Sequence, residues 1–251
     1  TYAYTELYRR DVNTKYDKTE TYRGAINYNY TGQAKNITPF ENVKFFKQNK
    51  AFSLIRDFNF NPVPSQISVQ NIFDRSYNER QARNITNNAA SSFVFESPPF
   101  YQKSFNWSRI YSFRYNPFKS VTTNFNAANM ALIGEPPGKV DRRDKDRYEE
   151  FRREVWNNIQ SFGDNTNYNH SFDVNYAIPI NKFPGLEFIT ANARYGATYA
   201  WEKVGNPSNT ADTLPDLGAT IRNSNTKALQ AGLNMDVLYN KFEYVRRLKD
   251  P

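Results

Sequence analysis

Apolar and polar residues alternate with a period of two through most of this chain. The clearest run is NYNHSFDVNYAIPINKFPGLEF, Asn167 to Phe188. Tyr168, His170, Phe172, Val174, Tyr176, Ile178 and Ile180 fall on one parity. Asn167, Asn169, Ser171, Asp173, Asn175, Ala177 and Pro179 fall on the other. That spacing predicts a strand with one apolar and one polar face, closed by the Pro184–Gly185 turn. TYRGAINYNY reads the same way, and pairs with Tyr2 to Val12 through the polar turn NTKYDK. SQISVQNIFDRSY sets Ile67, Val69 and Phe73 against Gln66, Ser68 and Gln70. SFNWSRIYSFRY runs through NPFKS into VTTNFNAANM. EFITANARYGATYAW groups Ala191, Ala193, Tyr195, Ala197, Tyr199 and Trp201. ALQAGLNMDVLY groups Leu229, Ala231, Leu233, Met235, Val237 and Tyr239 as the last strand. About eight strands result, several of them at the roughly 9–11 residues that a membrane-crossing strand needs.

Two segments carry the helical period instead. NVKFFKQNKAFSLIRDF places Ala51, Leu54, Ile55 and Phe58 together and predicts a helical insert over 39–58. DRYEEFRREVWNNIQSFG places Tyr148, Phe151, Val155 and Ile159 on one stripe within a long connection over 131–165, with Gly163 available to end the helix. The connections alternate in length. NPVPS, NPFKS and INKFPG are tight, whereas 81–101, 131–165 and 202–216 are long and polar. Short turns at one end and long loops at the other is the pattern of an outer-membrane barrel, with the short turns periplasmic. The 39–58 insert falls at the short-turn end.

Composition changes this picture in a few places. The 251 residues include 18 Tyr, 20 Phe and 32 Asn, a bias toward strands and turns. A mean hydropathy of −0.81 fits a soluble protein, but equally a barrel whose wet interior offsets its apolar exterior. No apolar run reaches the length of a transmembrane helix. With no cysteine, disulfides, thiol chemistry and thiolate metal sites are excluded. One histidine cannot build a multi-histidine metal site. The net charge of +8 is spread along the chain, and in KVDRRDKDRYEEFRREV seven bases face six acids. Such a run is an ion-paired, solvated face, so nucleic acid is not an expected partner. GEPPGKV is one residue short of a phosphate-binding loop and lacks Ser/Thr after Lys139, so it is expected to be a turn. No catalytic constellation, metal site or cofactor site is expected, and the chain is not expected to be an enzyme. The opening TYAYTELYRR and closing YVRRLKDP look like the interior of longer elements, which suggests a segment of a larger chain.

A soluble β-sandwich also alternates. Aromatics near strand ends, an opposite face rich in Asn, Ser, Thr and Gln, and strands of bilayer-crossing length favour a membrane wall. The expected fold class is therefore all-β. It is a transmembrane antiparallel β-barrel wall segment, about eight strands of a larger barrel spanning 1–251, with two short helical insertions. On that basis Asn169, Ser171, Asp173, Asn175, Asn192, Arg194, Gln230, Asn234 and Asp236 are expected to face the lumen. Phe172, Val174, Tyr176, Ile178, Ala193, Tyr195, Leu233, Met235 and Val237 are expected to face lipid. Arg109 stands against the scheme, because it shares the aromatic parity of FNWSRIYSF and would cost roughly 2–4 kcal/mol at a lipid midplane. Either a bulge shifts its parity, or it faces a plug or a partner.

Three stretches resemble a known family. SLIRDFNFNPVPSQISVQNIFDRSYNERQAR is similar to a repeated element of the SprA/Sov family. NYNHSFDVNYAIPINKFPGLEFITANARYGATYAW and NTKALQAGLNMDVLYNKFEYVRRLKDP are similar to two further signatures of it. PVPSQ stands where the family often has Leu-Pro-Ser-Ser. The resemblance spans about residues 20–251 and involves structural motifs, with no catalytic residue. It implies a wall segment of the giant outer-membrane translocon of the type 9 secretion system of Bacteroidetes. That translocon exports folded cargo bearing C-terminal secretion domains and supports gliding motility in some members. The partners implied are a PorV-type outer-membrane barrel, a periplasmic plug protein, secreted cargo and membrane lipid. Two alternatives remain open, a different outer-membrane barrel such as a nutrient transporter, and a soluble carbohydrate-binding sandwich.

Overall fold

The computed structural model describes residues 1–33, 35–43, 45, 52–83, 96–203 and 218–242. They form one antiparallel sheet of eight strands in the order of the chain. The strands are β1 Tyr2–Arg9, β2 Thr14–Thr31, β3 Gln66–Ala82, β4 Phe100–Phe118, β5 Val121–Leu132, β6 Asp164–Ile178, β7 Ile189–Lys203 and β8 Ala219–Leu233. Among the described residues three α-helices lie in or after the connections, α1 Ser53–Arg56, α2 Lys145–Gln160 and α3 Met235–Tyr239, with a short 3-10 turn at Ile180–Lys182. The sheet is open, with β1 and β8 as its edges.

Cross-strand pairing carries each side chain's face from strand to strand. Phe113 of β4 pairs with Phe125 of β5, Phe125 with Phe172 of β6, and Phe172 with Ala197 of β7. Ile67 and Val69 of β3 pair with Phe113 and Tyr111, and Val174 and Tyr176 with Tyr195 and Ala193. These residues make up the first face. The second face runs through Ser68–Ser112–Asn126–Ser171–Thr198–Ser224. Because the side-chain period is two, a register slip of one residue would put Phe172 among these polar groups.

The sheet curves toward its polar face. A cavity of about 450 Å³ is lined by Ile110 and Ser112 of β4 and also by Arg222 and Ser224 of β8. Four strand spacings of about 4.8 Å separate those strands in a flat sheet, so only a concave surface lets them share so small a space. The first face is therefore convex.

Four features depart from the sequence expectations. The NTKYDK turn lies mostly inside β2. The chain reverses before it, where the Asp11 carboxylate accepts from the Asn13 and Thr14 N–H groups at 2.9 and 2.7 Å. NPVPS closes the long β2–β3 connection and is no separate hairpin. The final strand begins and ends earlier than its alternation predicts. β8 ends at Leu233, and Asn234 caps α3 by accepting from the Val237 N–H at 3.2 Å. Asn234, Met235, Asp236 and Val237 therefore sit at or in a helix, and cannot present alternate faces of a wall. An Asn with acceptor reach to the third residue on is a strong helix start, and here it outweighs the alternation. Of the 39–58 insert, α1 supplies the described helix, while Ala51 and 46–50 lie outside the described residues. So does most of 202–216, and so does YVRRLKDP.

The α2 segment agrees with its periodicity. Tyr148, Phe151, Val155 and Ile159 are the half-buried stripe. Its C-terminus is a Schellman turn, with Phe162 N–H to Ile159 O at 3.0 Å and Gly163 N–H to Asn158 O at 2.8 Å. Phe162 and Gly163 are both left-handed, with φ of 64° and 68°. A Cβ at Gly163 would stand 2.7 Å from the Leu132 carbonyl oxygen. Gly163→Ala is therefore expected to cost about 1–2 kcal/mol from backbone strain alone, with the clash added. Thermal denaturation of the variant beside the parent protein checks this.

Candidate functional site

The candidate site is a surface with two unlike faces. On the convex face, apolar side chains run without interruption from Tyr28 and Tyr30 of β2 to Tyr195 and Tyr199 of β7. His170 belongs to it, packed between Phe125, Tyr168 and Tyr199 with ring centroids 5.3–5.7 Å away. No second layer of described elements packs on the middle of this band, while at its tight-turn end Val174, Tyr176 and Ile178 share a groove of about 1310 Å³ with Leu54, Asp57 and Phe58 of the β2–β3 connection. The buried apolar residues among those described are Tyr77, Trp107, Ala127, Ala131, Ile133 and Ala191, half of them alanine. That set is small, and no second layer of described elements packs on the sheet.

Two segments frame the band. At the tight-turn end, the β2–β3 connection folds onto the convex side. Phe58 packs on Phe118 with centroids 5.8 Å apart, and the Tyr115 hydroxyl donates to the Asn61 carbonyl at 2.8 Å. Asn61 is fully buried, and its own N–H reaches Pro117 O at 2.8 Å. Asp57 joins this segment to the β6–β7 turn, 3.0 Å from Lys182 Nζ. The hydrogen bonds from Arg56 and Lys182 hold the Asp57 carboxyl below its ordinary range.

At the other end, the β5–β6 connection folds back over the convex side of β3 and β4. Arg75 Nη2 donates to Glu135 Oε2 at 2.8 Å, and Lys103 Nζ to Pro136 O at 2.8 Å. Both cations stand over the Phe151 ring of α2 at 5.8 and 5.4 Å. The GEPPGKV stretch is thus an anchoring turn that supplies Glu135 and the Pro136 carbonyl.

Arg109 marks the border between band and cap. Its parity is not shifted, since it pairs with Asn129 and Asn71 and the bulges lie at Thr14/Tyr16, Tyr115/Phe118 and Met130/Ala131. The chain itself covers it, leaving it 8% exposed. Nη2 donates to Asn129 Oδ1 at 2.5 Å and to Asn165 Oδ1 at 2.8 Å, with Phe162 O at 3.3 Å. The guanidinium lies over the Trp107 and Phe162 rings at 4.7 and 5.5 Å. The expectation that a bulge shifts the parity of Arg109, or that it faces a plug or a partner, is corrected accordingly.

On the concave face, Asn169, Ser171, Asp173 and Asn175 of β6, Asn192 and Arg194 of β7 and Gln230 of β8 are brought together. Arg194 Nη2 donates to Asp173 Oδ1 at 2.8 Å. Gly196 sits opposite Asp173, where a Cβ would come within 3.2 Å of Oδ1. Many of these residues line a trough of about 830 Å³ with Thr122, Ser224 and Thr226. The trough is mostly amides and hydroxyls, and it offers hydrogen bonds with little net charge. Phe172, Val174, Tyr176 and Ile178 of β6, Ala193 and Tyr195 of β7 and Leu233 of β8 lie on the convex face.

Sequence reasoning missed the upper half of β8. Arg222 to Lys227 is polar on both parities, so no alternation identifies it as a strand. No protein-family model matches this chain, and no curated protein matches it.

Proposed function

We propose that this chain is a segment of the wall of an outer-membrane protein-conducting channel, the translocon of the type 9 secretion system. On this proposal the convex band meets lipid and the concave trough lines a water-filled lumen that passes folded cargo with C-terminal secretion domains. A PorV-type barrel and a periplasmic plug protein are its partners, and gliding motility depends on it in some Bacteroidetes. The observation that carries the membrane part is the continuous, uncovered apolar band opposite a concave polar face. Its height supports this. From Arg109 to Phe118 is about nine steps of ~3.3 Å, or about 23 Å along an axis tilted by ~40°, against about 25 Å for the apolar belt of outer-membrane barrels. The open edges at β1 and β8 suit a wall that continues on both sides. The specific secretion role rests on the resemblance of the three stretches to the SprA/Sov family.

The single-layer sheet tells against the sandwich, because a sandwich would cover the band with a second sheet. Depleting the full-length protein is expected to trap secretion-domain cargo in the periplasm, as read by fractionation and immunoblot. Undiminished export would eliminate the translocon role and leave another outer-membrane barrel. Refolding of the chain to a monodisperse monomer without detergent would eliminate both.

A further inference from the structure

We infer that α2 is an interfacial helix, its Trp156 flank seated in the outer leaflet and its cations on that flank bound to the phosphates of anionic lipid. This rests on the proposal that the convex band meets lipid.

Both connections of α2 and the strands beneath it lie in described residues. The helix crosses the convex side at the loop end of the band. Phe151 stands over Arg75 and Lys103, and further along the chain Phe162 stacks on Trp107 with centroids 5.8 Å apart. Strand pairing puts Arg109, Asn129, Tyr168 and Trp201 at one level, next to Trp107. Trp156 comes between Phe151 and Phe162, so Trp107, Trp156 and Trp201 gather at this end of the band. Tryptophan concentrates where hydrocarbon gives way to headgroups. Trp156 and Phe162 are each 58% exposed. Phe162 also holds a left-handed conformation, φ 64°, that Gly or Asn usually fills at a helix end.

The charges of α2 are sorted around its axis. At about 100° per residue, Lys145, Arg152 and Arg153 project within about 60° of Trp156, joined by the acid Glu149. Asp146, Glu150 and Glu154 lie about 80–160° away from Trp156, with Arg147. The half-buried stripe of Tyr148, Phe151, Val155 and Ile159 holds the helix to the sheet. The anchoring turn takes the flank opposite Trp156, where Asn158 Nδ2 donates to Gly134 O at 2.9 Å. The ion pairs expected along KVDRRDKDRYEEFRREV do not form on the Trp156 flank. Among the described residues none engages Lys145, Arg152 or Arg153. Bases beside an exposed tryptophan, on a helix laid along a lipid-facing wall, are the makings of an interfacial anchor. Guanidinium and ammonium groups form strong hydrogen bonds to phosphate. An excess of bases over Glu149 on this flank favours an anionic headgroup over a zwitterionic one.

This chain contributes no cysteine, so single labels can be placed in it. Nitroxides are attached at Gln160→Cys on the Trp156 flank, at Glu154→Cys on the far flank and at Val174→Cys in the band. The full-length protein is reconstituted in vesicles of phosphatidylcholine, with or without phosphatidylglycerol. Collisions with oxygen, enriched in lipid, and with a nickel chelate, confined to water, are then measured. With phosphatidylglycerol present, the ratio of oxygen to nickel access is expected to be several-fold higher at 160 than at 154. Nickel access at 160 is expected to rise several-fold in phosphatidylcholine alone, and also when Lys145→Glu and Arg152→Glu are combined. Equal nickel access at 160 and 154 would place the helix in water. Closure of 160 to both probes would place it under protein. Indifference to both lipid charge and charge reversal would refute phosphate binding. Each of these three outcomes overturns the inference. A label at 174 that nickel reaches as readily as oxygen would instead refute the lipid-facing band, so the two failures are distinguishable.

Discussion

If the convex band meets lipid as proposed, Val174→Arg is expected to lower the free energy of folding into a bilayer by about 2–4 kcal/mol, the cost of an arginine on a lipid face near the midplane. Val174 lies on the convex face of β6, opposite Thr123 and Tyr195, with four residues between it and the β6–β7 turn. Extension lets a guanidinium reach toward the interface, but only partly from that depth. Ser171→Arg, three residues away on the concave face, is the matched control and should change stability by no more than about 0.5 kcal/mol. Its neighbours are Asn126 and Thr198, which a solvated arginine tolerates. Denaturant titration of the protein refolded into phospholipid vesicles measures both. Equal costs on the two faces would mean that the two do not face unlike media, and the wall model would fail.

Arg109→Ala is expected to free the β5–β6 connection from the sheet. The side chain loses two short hydrogen bonds to Asn129 and Asn165 and its position over the Trp107 and Phe162 rings. Charged hydrogen bonds contribute roughly 1.5–3 kcal/mol each and a desolvated cation–π pair about 1–2. Nε already lacks an acceptor, which tempers the loss, and a net value of about 3 kcal/mol follows from these ranges. That corresponds to roughly a hundredfold rise in local opening, seen as faster amide exchange across Phe162–Asn165 and faster proteolysis within α2. Lys presents no planar guanidinium to the Trp107 and Phe162 rings, so Arg109→Lys should recover only part of the loss. The sheet itself should remain intact, since its ladder on either side of Arg109 does not depend on this side chain.

Much of this architecture is legible in the sequence, for a simple reason. Where one face of a strand is apolar and the other polar, as in Tyr168–Ile178 or Phe105–Tyr115, the period of two survives in single-residue resolution. The α2 stripe survives at its own period. What was not legible has equally specific causes. Asn234 ends β8 because its amide caps a helix, although the alternation continues formally to Tyr239. Arg222–Lys227 is polar on both parities, so the strand carries no pattern, and its departure from the apolar band emerges only from pairing with β7. Arg109 looked anomalous because the groups that satisfy it, Asn165 and Phe162, lie more than fifty residues away and arrive through two consecutive left-handed residues. That so few of the described apolar residues are buried is not legible either, since alternation looks the same above lipid and above a second sheet.

The strictly sequential pairing of the eight strands has a kinetic consequence. Every strand adds next to the one made just before it, so each ladder closes only the loop between chain neighbours. Closure entropy grows slowly with loop length, by about 0.6 kcal/mol per doubling. The long β2–β3 and β5–β6 connections therefore delay their hairpins only slightly. Such a sheet can grow as a zipper, each finished edge templating the next strand, with no pairing between distant parts of the chain until an edge at last finds its partner. For a chain of this topology, size sets the number of steps but not the difficulty of any one of them.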